Sequence, residues 1–319
     1  MDFSQLFMVG LGADNDLSFV REFQPGGVIL MGRNARPFAE VQELTKQLRQ
    51  VLANPMIASD HEGGRVQRLK DGFEILPPAR DLARGGVENV RGVAQRVGRE
   101  LKSAGINFNF APVCDVPTHV GDTVIGSRAF STNFDDAGEF AAVYIEGLQS
   151  AGVGACAKHF PGHGGVGVDS HFGLPSFLGS HEDLEPHLKP FRAAIQAKVS
   201  AMMVAHIELL ELDPSGAPAS LSHPVITDLL RGELGFKGLV VSDDLEMGAL
   251  DTISPGAIAV RALEAGCDLL LFCHSPQKAL EARAAVERAL QTKRLESERV
   301  EEALGRVEAW KAGFSEGVR

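Results

Sequence analysis

Polar-tipped aromatic residues are nearly absent from the chain, with one tryptophan, Trp310, and one tyrosine, Tyr144, in 319 residues. That scarcity argues against an extended stacking platform for a polymeric ligand. Basic residues are outnumbered, 31 Lys and Arg against 42 Asp and Glu, giving a net charge of −11. A general nucleic-acid binder, or a protein held on acidic membranes, needs basic stripes that this balance does not supply. No apolar run is long enough to span a bilayer. The N-terminal MDFSQLFMVGLGADND carries no basic segment ahead of its short apolar run, so a secretory signal peptide is not expected. The four cysteines, Cys114, Cys156, Cys267 and Cys273, show no CxxC spacing, and each lies in or beside an apolar run. They read as reduced core thiols of a cytoplasmic protein. No Pro- or Ser-rich linker divides the sequence, so residues 1–319 are expected to form one domain.

What is present is a repeating alternation. Short apolar runs occur at 6–9, 27–31, 56–58, 108–113, 154–157, 201–205, 239–241 and 268–273. Several are near-continuous in Val, Ile, Leu and Phe, as strands buried on both faces should be. Between them the spacing turns helical, as in Val41, Leu44, Leu48 and Val51, or Leu184, Leu188, Phe191 and Ile195. Segments 135–150 and 224–234 also read as helices, and helical patterns close the chain from about residue 276. Eight strands alternating with helices predict an α/β fold, a (β/α)8 TIM-type barrel; an open doubly wound sheet is the alternative.

In a barrel, catalytic side chains belong at the C-terminal ends of the strands. The residues that follow the runs are Arg33-Asn34, Asp60-His61-Glu62, Asp115, Lys158-His159, His206, Asp243-Asp244 and His274. Ionisable groups set directly after buried runs point to an active rim. Asp243 follows Val240, Val241 and Ser242, which puts its carboxylate at the barrel mouth as a nucleophile or base, with a structural ion pair as the bland reading. Asp244 suits a helix cap better. Asp60 opens DHEGGRVQR, whose paired glycines allow a tight turn and whose Arg65 and Arg68 follow closely. A carboxylate beside arginine suits a sugar or a carboxylate-bearing ligand, and equally a structural ion pair. Arg128, in a loop, is read from spacing alone as solvated more often than functional.

The glycine-rich loop from Gly162 to Gly167 is no phosphate loop, because it lacks the GK[ST] ending. His159, His163, Asp169 and His171 include enough nitrogen and oxygen donors for a metal site, but so many glycines make a poorly organised cage. The preferred reading is Asp169-Ser-His171, a carboxylate orienting an imidazole as general acid/base on a mobile loop.

The segments SDHEGGRVQR, NFAPVCDV, IGSRAF, KHFPGHG with DSH close behind, PASLSHPVIT and ELGFKGLVVSDDLEMGA resemble the bacterial β-N-acetylglucosaminidases of glycoside hydrolase family 3. The likeness runs from about Leu6 to beyond His274. It implies that Asp243 is the nucleophile and that His171, assisted by Asp169, is the acid/base. It also implies that Asp60, Arg68, Arg128, Lys158 and His159 bind substrate; Asp115 and His206 are expected in supporting places. The implied reaction is retaining hydrolysis of terminal GlcNAc from 1,6-anhydro-muropeptides in the cytoplasm, with no metal or cofactor. The partner is then a small glycoside rather than nucleic acid or membrane, and oligomeric state is not indicated. Glucosidases of this family often carry a second sandwich domain with a carboxylic acid/base. No strand block for one follows residue 275, so the resemblance is to the single-domain type. A phosphorylase, a β-glucosidase of the same family and a non-catalytic sugar-binding barrel are the rival readings.

Overall fold

The computed structural model describes residues 2–118, 122, 124–166 and 173–314. Its strands are β1 (Phe7–Gly10), β2 (Gly27–Leu30), β3 (Met56–Ser59), β4 (His61–Gly63), β5 (Val66–Gln67), β6 (Phe108–Asn109), β7 (Gly154–Phe160), β8 (Ala201–Val204), β9 (Leu239–Asp244) and β10 (Leu269–Phe272). Eight of them close a barrel in the order β1-β2-β3-β6-β7-β8-β9-β10, with β10 returning to β1. Each of these neighbouring pairs is parallel. Every apolar run of the sequence thus becomes a barrel strand, and the open-sheet alternative falls. The pair β4-β5 is an additional antiparallel hairpin built from DHEGGRVQ, where the sequence suggested only a turn.

Strand alternation sorts the apolar residues into two cores. Met8, Ile29, Met56, Ala58, Phe108, Met203, Val241 and Leu271 point into the barrel, while Phe7, Val9, Val28, Leu30, Ile57, Val204 and Val240 face the helices. Both sets are removed from water, which is the main favourable term in folding. At the N-terminal end of the barrel the lone tryptophan acts as a plug. Trp310, on the helix Ser297–Phe314, packs against Phe108 at a tilt, with ring centroids 4.3 Å apart. A Cβ on Gly154, the first residue of β7, would lie 2.3 Å from the Trp310 ring. Gly154→Ala should therefore cost about 1–3 kcal/mol of stability by overpacking. Denaturant melts would show that loss with KM unchanged, because the active end is at the opposite side; an unchanged midpoint would contradict the plug.

Three strand boundaries differ from expectation in ways that matter for the site. The 108–113 run keeps only Phe108–Asn109 in the ladder, because Pro112 has no N–H to donate; Val113 rejoins as an isolated bridge to Lys158. Conversely, β7 runs on to Phe160 and β9 to Asp244. Lys158, His159 and Asp243 therefore sit on strand, not in loop, where a rigid backbone fixes them. The segment Pro224–Glu233 is a wide helix with i→i+5 bonding, as between the Leu234 amide and the Leu229 carbonyl.

Candidate active site

The C-terminal ends of the strands enclose a cavity of about 380 Å³, within the range of small-ligand sites. Asp60, Arg68, Arg128, Lys158, His159 and Asp243 all line it. Its apolar floor comes from the inward faces of β2, β8 and β10, at Ile29, Met203 and Leu271, together with Phe110.

One wall is a chain of charges. Lys158 Nζ lies 2.7 Å from Asp60 Oδ1 and 2.7 Å from Glu62 Oε1. Arg128 forks onto Glu62, donating from Nε and Nη2 to the two carboxylate oxygens at 2.8 Å each. Arg68 Nε stands 3.5 Å from the other Asp60 oxygen. Burial favours neutral Glu62, yet Arg128 and Lys158 hold its carboxyl far below the ordinary value. Burial likewise disfavours the Lys158 ammonium, and Asp60 with Glu62 overrides it and keeps the lysine charged. Two cations and two carboxylates are thus fixed before any ligand arrives, which lowers the cost of ordering them around a substrate.

Glu62, placed on the rim by its position after a strand, is given no role of its own by the sequence. The signal was available in the pleat. Along Asp60-His61-Glu62, alternate residues share a face once β4 continues the chain as strand. Asp60 and Glu62 accordingly face the cavity, and His61 turns away toward Phe73, with ring centroids 5.9 Å apart. Burial lowers the His61 pKa to about 4.

A second wall centres on His159. Its Nδ1 is 2.6 Å from Asp115 Oδ2, and its backbone N–H donates to the same oxygen at 3.1 Å. The other Asp115 oxygen accepts the His163 amide at 2.6 Å. Asp115 is buried and lies behind His159 rather than in the cavity. Burial raises its pKa, but His159 and His163 bring it below the usual carboxylate range. With Nδ1 on Asp115, Nε2 is left toward the ligand side, 3.5 Å from Arg128 Nη2.

Asp243, next to last in β9, is half-buried, its Oδ1 accepting the Asp244 amide at 2.8 Å. Burial pushes its pKa up, and the charge of His159 and His206, that amide and Lys158 together bring it below the ordinary value. His206 does not reach the cavity. It is fully buried, with Nδ1 2.7 Å from Ser220 Oγ and Nε2 donating to the Asp244 carbonyl at 3.0 Å, so it fixes the end of β9 from below. Asp244, expected as a helix cap, is instead the last residue of β9 and caps no helix: it accepts the amides of Glu246 and Cys273 at 3.2 Å each and lines the cavity beside Asp243. Arg33 and Asn34 tie strand ends together through the Leu11 and Gly12 carbonyls. Ser59 donates its hydroxyl to the Leu30 carbonyl at 3.0 Å, and Met31 lines the cavity.

The glycine-rich loop is better held than its composition suggests. A Cβ on Gly164 would lie 2.0 Å from the Val116 carbonyl oxygen, and the Gly164 carbonyl accepts the Thr118 amide at 3.1 Å. Residues 162–166 are therefore docked against the loop after β6. Asp169 and His171 lie outside the described residues. Among the described residues no group of three or more His, Cys, Asp or Glu side chains is arranged to hold a metal ion, and no helix is long and apolar enough to cross a membrane.

A closed parallel barrel with carboxylates gathered at a polar mouth is an architecture of glycoside hydrolases. This chain belongs to one family of them: the glycosyl hydrolase family 3 N-terminal domain matches residues 2–309. The β-hexosaminidase of Nitrosospira multiformis is 40% identical over 275 residues, covering 83% of this chain and 78% of that protein. The structure of a family 3 β-N-acetylglucosaminidase from Paenibacillus superposes with a TM-score of 0.93 at 38% identity; the match covers 98% of this chain and 62% of that one. A β-N-acetylhexosaminidase from Beutenbergia cavernae gives a TM-score of 0.91 at 31% identity, with 98% of this chain and 97% of that one covered.

Proposed function

We propose that the chain is a retaining exo-β-N-acetylglucosaminidase that releases terminal GlcNAc from GlcNAc-1,6-anhydro-MurNAc peptides during cell-wall recycling. The observation that carries this reading is Asp243, a carboxylate held ionised on a rigid strand end at the edge of a sugar-sized cavity. The similarity to β-hexosaminidases supports the choice of sugar, and four unpaired cysteines support a cytoplasmic setting. The whole chain is assigned to one catalytic barrel.

In this reading Asp243 attacks the anomeric carbon as the glycosidic C–O bond breaks, and His171 gives its proton to the departing oxygen. Water then attacks the glycosyl ester from the same face the leaving group vacated. His171 takes the water's proton, and Asp243 is released. Asp169 orients His171. Asp60, Arg68, Arg128, Lys158 and His159 hold the hydroxyls, with Asp115 and His206 supporting them. No metal or cofactor takes part.

Turnover of aryl β-GlcNAc against aryl β-glucoside, with and without phosphate, tests the assignment. The GlcNAc substrate should be hydrolysed to free sugar in both buffers. Silence on it, preference for glucoside or formation of GlcNAc 1-phosphate would replace this reading with a rival. His171→Ala should act through the leaving group. A nitrophenolate departs with little protonation, whereas a sugar alkoxide should lose on the order of a hundredfold or more. A burst and rescue by azide should accompany the activated substrate, and equal losses on both substrates would remove His171 from the acid/base role.

A further inference from the structure

The strand that carries the proposed nucleophile is irregular just where that residue sits. Leu269 of β10 pairs with Val241 of β9 and Leu271 pairs with Asp244, so β9 takes three steps where β10 takes two. Ser242 and Asp243 therefore lie in a bulge, a device that re-aims a side chain and interrupts the ladder. Side chains replace the interrupted bonds. The Leu271 amide donates to Ser242 Oγ at 3.0 Å, and the Cys273 amide donates to Asp244 Oδ1 at 3.2 Å. Asp244 passes the hold to its neighbour, its own amide donating to Asp243 Oδ1 at 2.8 Å.

The second oxygen of Asp244, Oδ2, is met by His274, whose Nε2 stands 3.3 Å away. The His274 ring lines the cavity, yet both of its nitrogens are engaged within the protein. Nδ1 lies 3.2 Å from Arg33 Nη1. Arginine only donates, so Nδ1 accepts and the ring proton sits on Nε2, toward Asp244. The guanidinium is itself fixed by the Leu11 and Cys273 carbonyls. The His274 backbone is fixed too, its amide donating to Oε2 of the buried Glu246 at 2.6 Å. The charged groups around the ring are thus Arg33, Asp244 and Glu246, and the Cys273 thiol beside Asp244 is kept neutral by burial. Asp244 raises the His274 pKa, with burial and Arg33 opposing it. Protonation would cost the Arg33 contact and add charge to the Asp244 contact, so the link to Asp244 survives in either state.

We propose that His274 is a positioning residue for Asp243: by holding Asp244 it fixes the backbone amide that aims the Asp243 carboxylate. The inference rests on the reading of Asp243 as nucleophile. With Oδ1 held by that amide, Oδ2 is the attacking oxygen. Losing the hold lets the bulge relax and misdirects attack, while Asp60, Arg128 and Lys158 grip the sugar as before.

Three substitutions separate the two contacts of the ring. In His274→Gln the amide nitrogen takes the place of Nε2 and still donates to Asp244. In His274→Asn the amide oxygen takes the place of Nδ1 and reaches only Arg33. His274→Ala removes both contacts. On aryl β-GlcNAc, His274→Ala and His274→Asn should lower kcat roughly tenfold with KM within about twofold, and His274→Gln should recover most of the rate. Trapping by an activated fluorinated GlcNAc glycoside should slow in the same order, since it reads attack by Asp243. Hydrogen exchange at the Asp244 amide should quicken in His274→Ala and His274→Asn but not in His274→Gln. Equal kcat in all four proteins, a loss confined to KM, or His274→Gln failing as fully as His274→Ala would overturn the proposal. If wild-type enzyme fails on aryl β-GlcNAc, the glycosidase reading has failed instead. Amide exchange then decides the hold alone, with unchanged protection of Asp244 in His274→Ala refuting it and faster exchange supporting it.

Discussion

Asp243→Asn should abolish turnover on activated and natural substrates alike, by about four orders of magnitude or more, because no glycosyl ester can form. The loss should be in kcat, with the fold intact by circular dichroism. The amide keeps the shape of the side chain and removes only its nucleophilicity. Azide should restore part of the activity of Asp243→Ala on a nitrophenyl glycoside, giving a glycosyl azide of inverted configuration, since the small anion enters where the carboxylate stood. The pH dependence follows from the same site. Burial alone would keep Asp243 protonated to higher pH, but His159, His206 and Lys158 bring its pKa below the usual value. The Asp243 carboxylate should then be ionised throughout mildly acidic solution, and if it is the proposed nucleophile kcat/KM should not fall there on its account. Residual activity above about one per cent in the asparagine variant would point to another nucleophile.

Glu62→Ala should destabilise the protein by about 3–5 kcal/mol, as expected when one member of a buried ion-pair network is removed. Arg128 and Lys158 would face each other without the carboxylate that now lies 2.8 and 2.7 Å from them. Glu62→Gln should be milder, since the amide oxygen still accepts one of these bonds, and should raise KM as Arg128 loses its two-pronged support. The sign of the acid dependence is fixed. The native pKa of Glu62 is depressed, so its contribution is fully present above about 4.5, the ordinary glutamate value, and is lost as pH falls toward the native one. Glu62→Gln should therefore flatten the stability curve on the acid side of 4.5. Urea melts at neutral and acid pH measure both effects. A variant as stable as wild type, with the same acid slope, would show that Glu62 does not hold the site together.

The barrel was legible because its signal is collective. Eight apolar runs with helical spacing between them leave few alternatives, and each run lies on an observed barrel strand. Local exceptions came from single residues. Pro112 cut the 108–113 strand short by lacking a donor, and Gly63 and Gly64, both at positive φ, turned DHEGGRVQ into a hairpin instead of a loop. At the site, position after a strand gave the neighbourhood but not the depth. Asp60, Lys158, His159 and Asp243 reach the cavity. Asp115 and His206 follow strands in the same way, yet stand behind His159 and beneath β9. A strand end can aim a side chain at ligand, at a neighbour or into the core, and sequence order alone does not distinguish these. The sequence puts Glu62 on the rim but not in its ion pairs, because its partners Arg128 and Lys158 are remote in sequence and the pairing exists only once the barrel closes.

The central claim is a covalent bond between Asp243 and the sugar. An activated fluorinated GlcNAc glycoside, which forms the ester quickly and loses it slowly, tests this claim by trapping. Proteolysis and mass spectrometry of the inactivated enzyme should find one sugar per chain, carried on Asp243. Inactivation without a label, a label on any other residue, or no slowing of turnover at all would contradict the account.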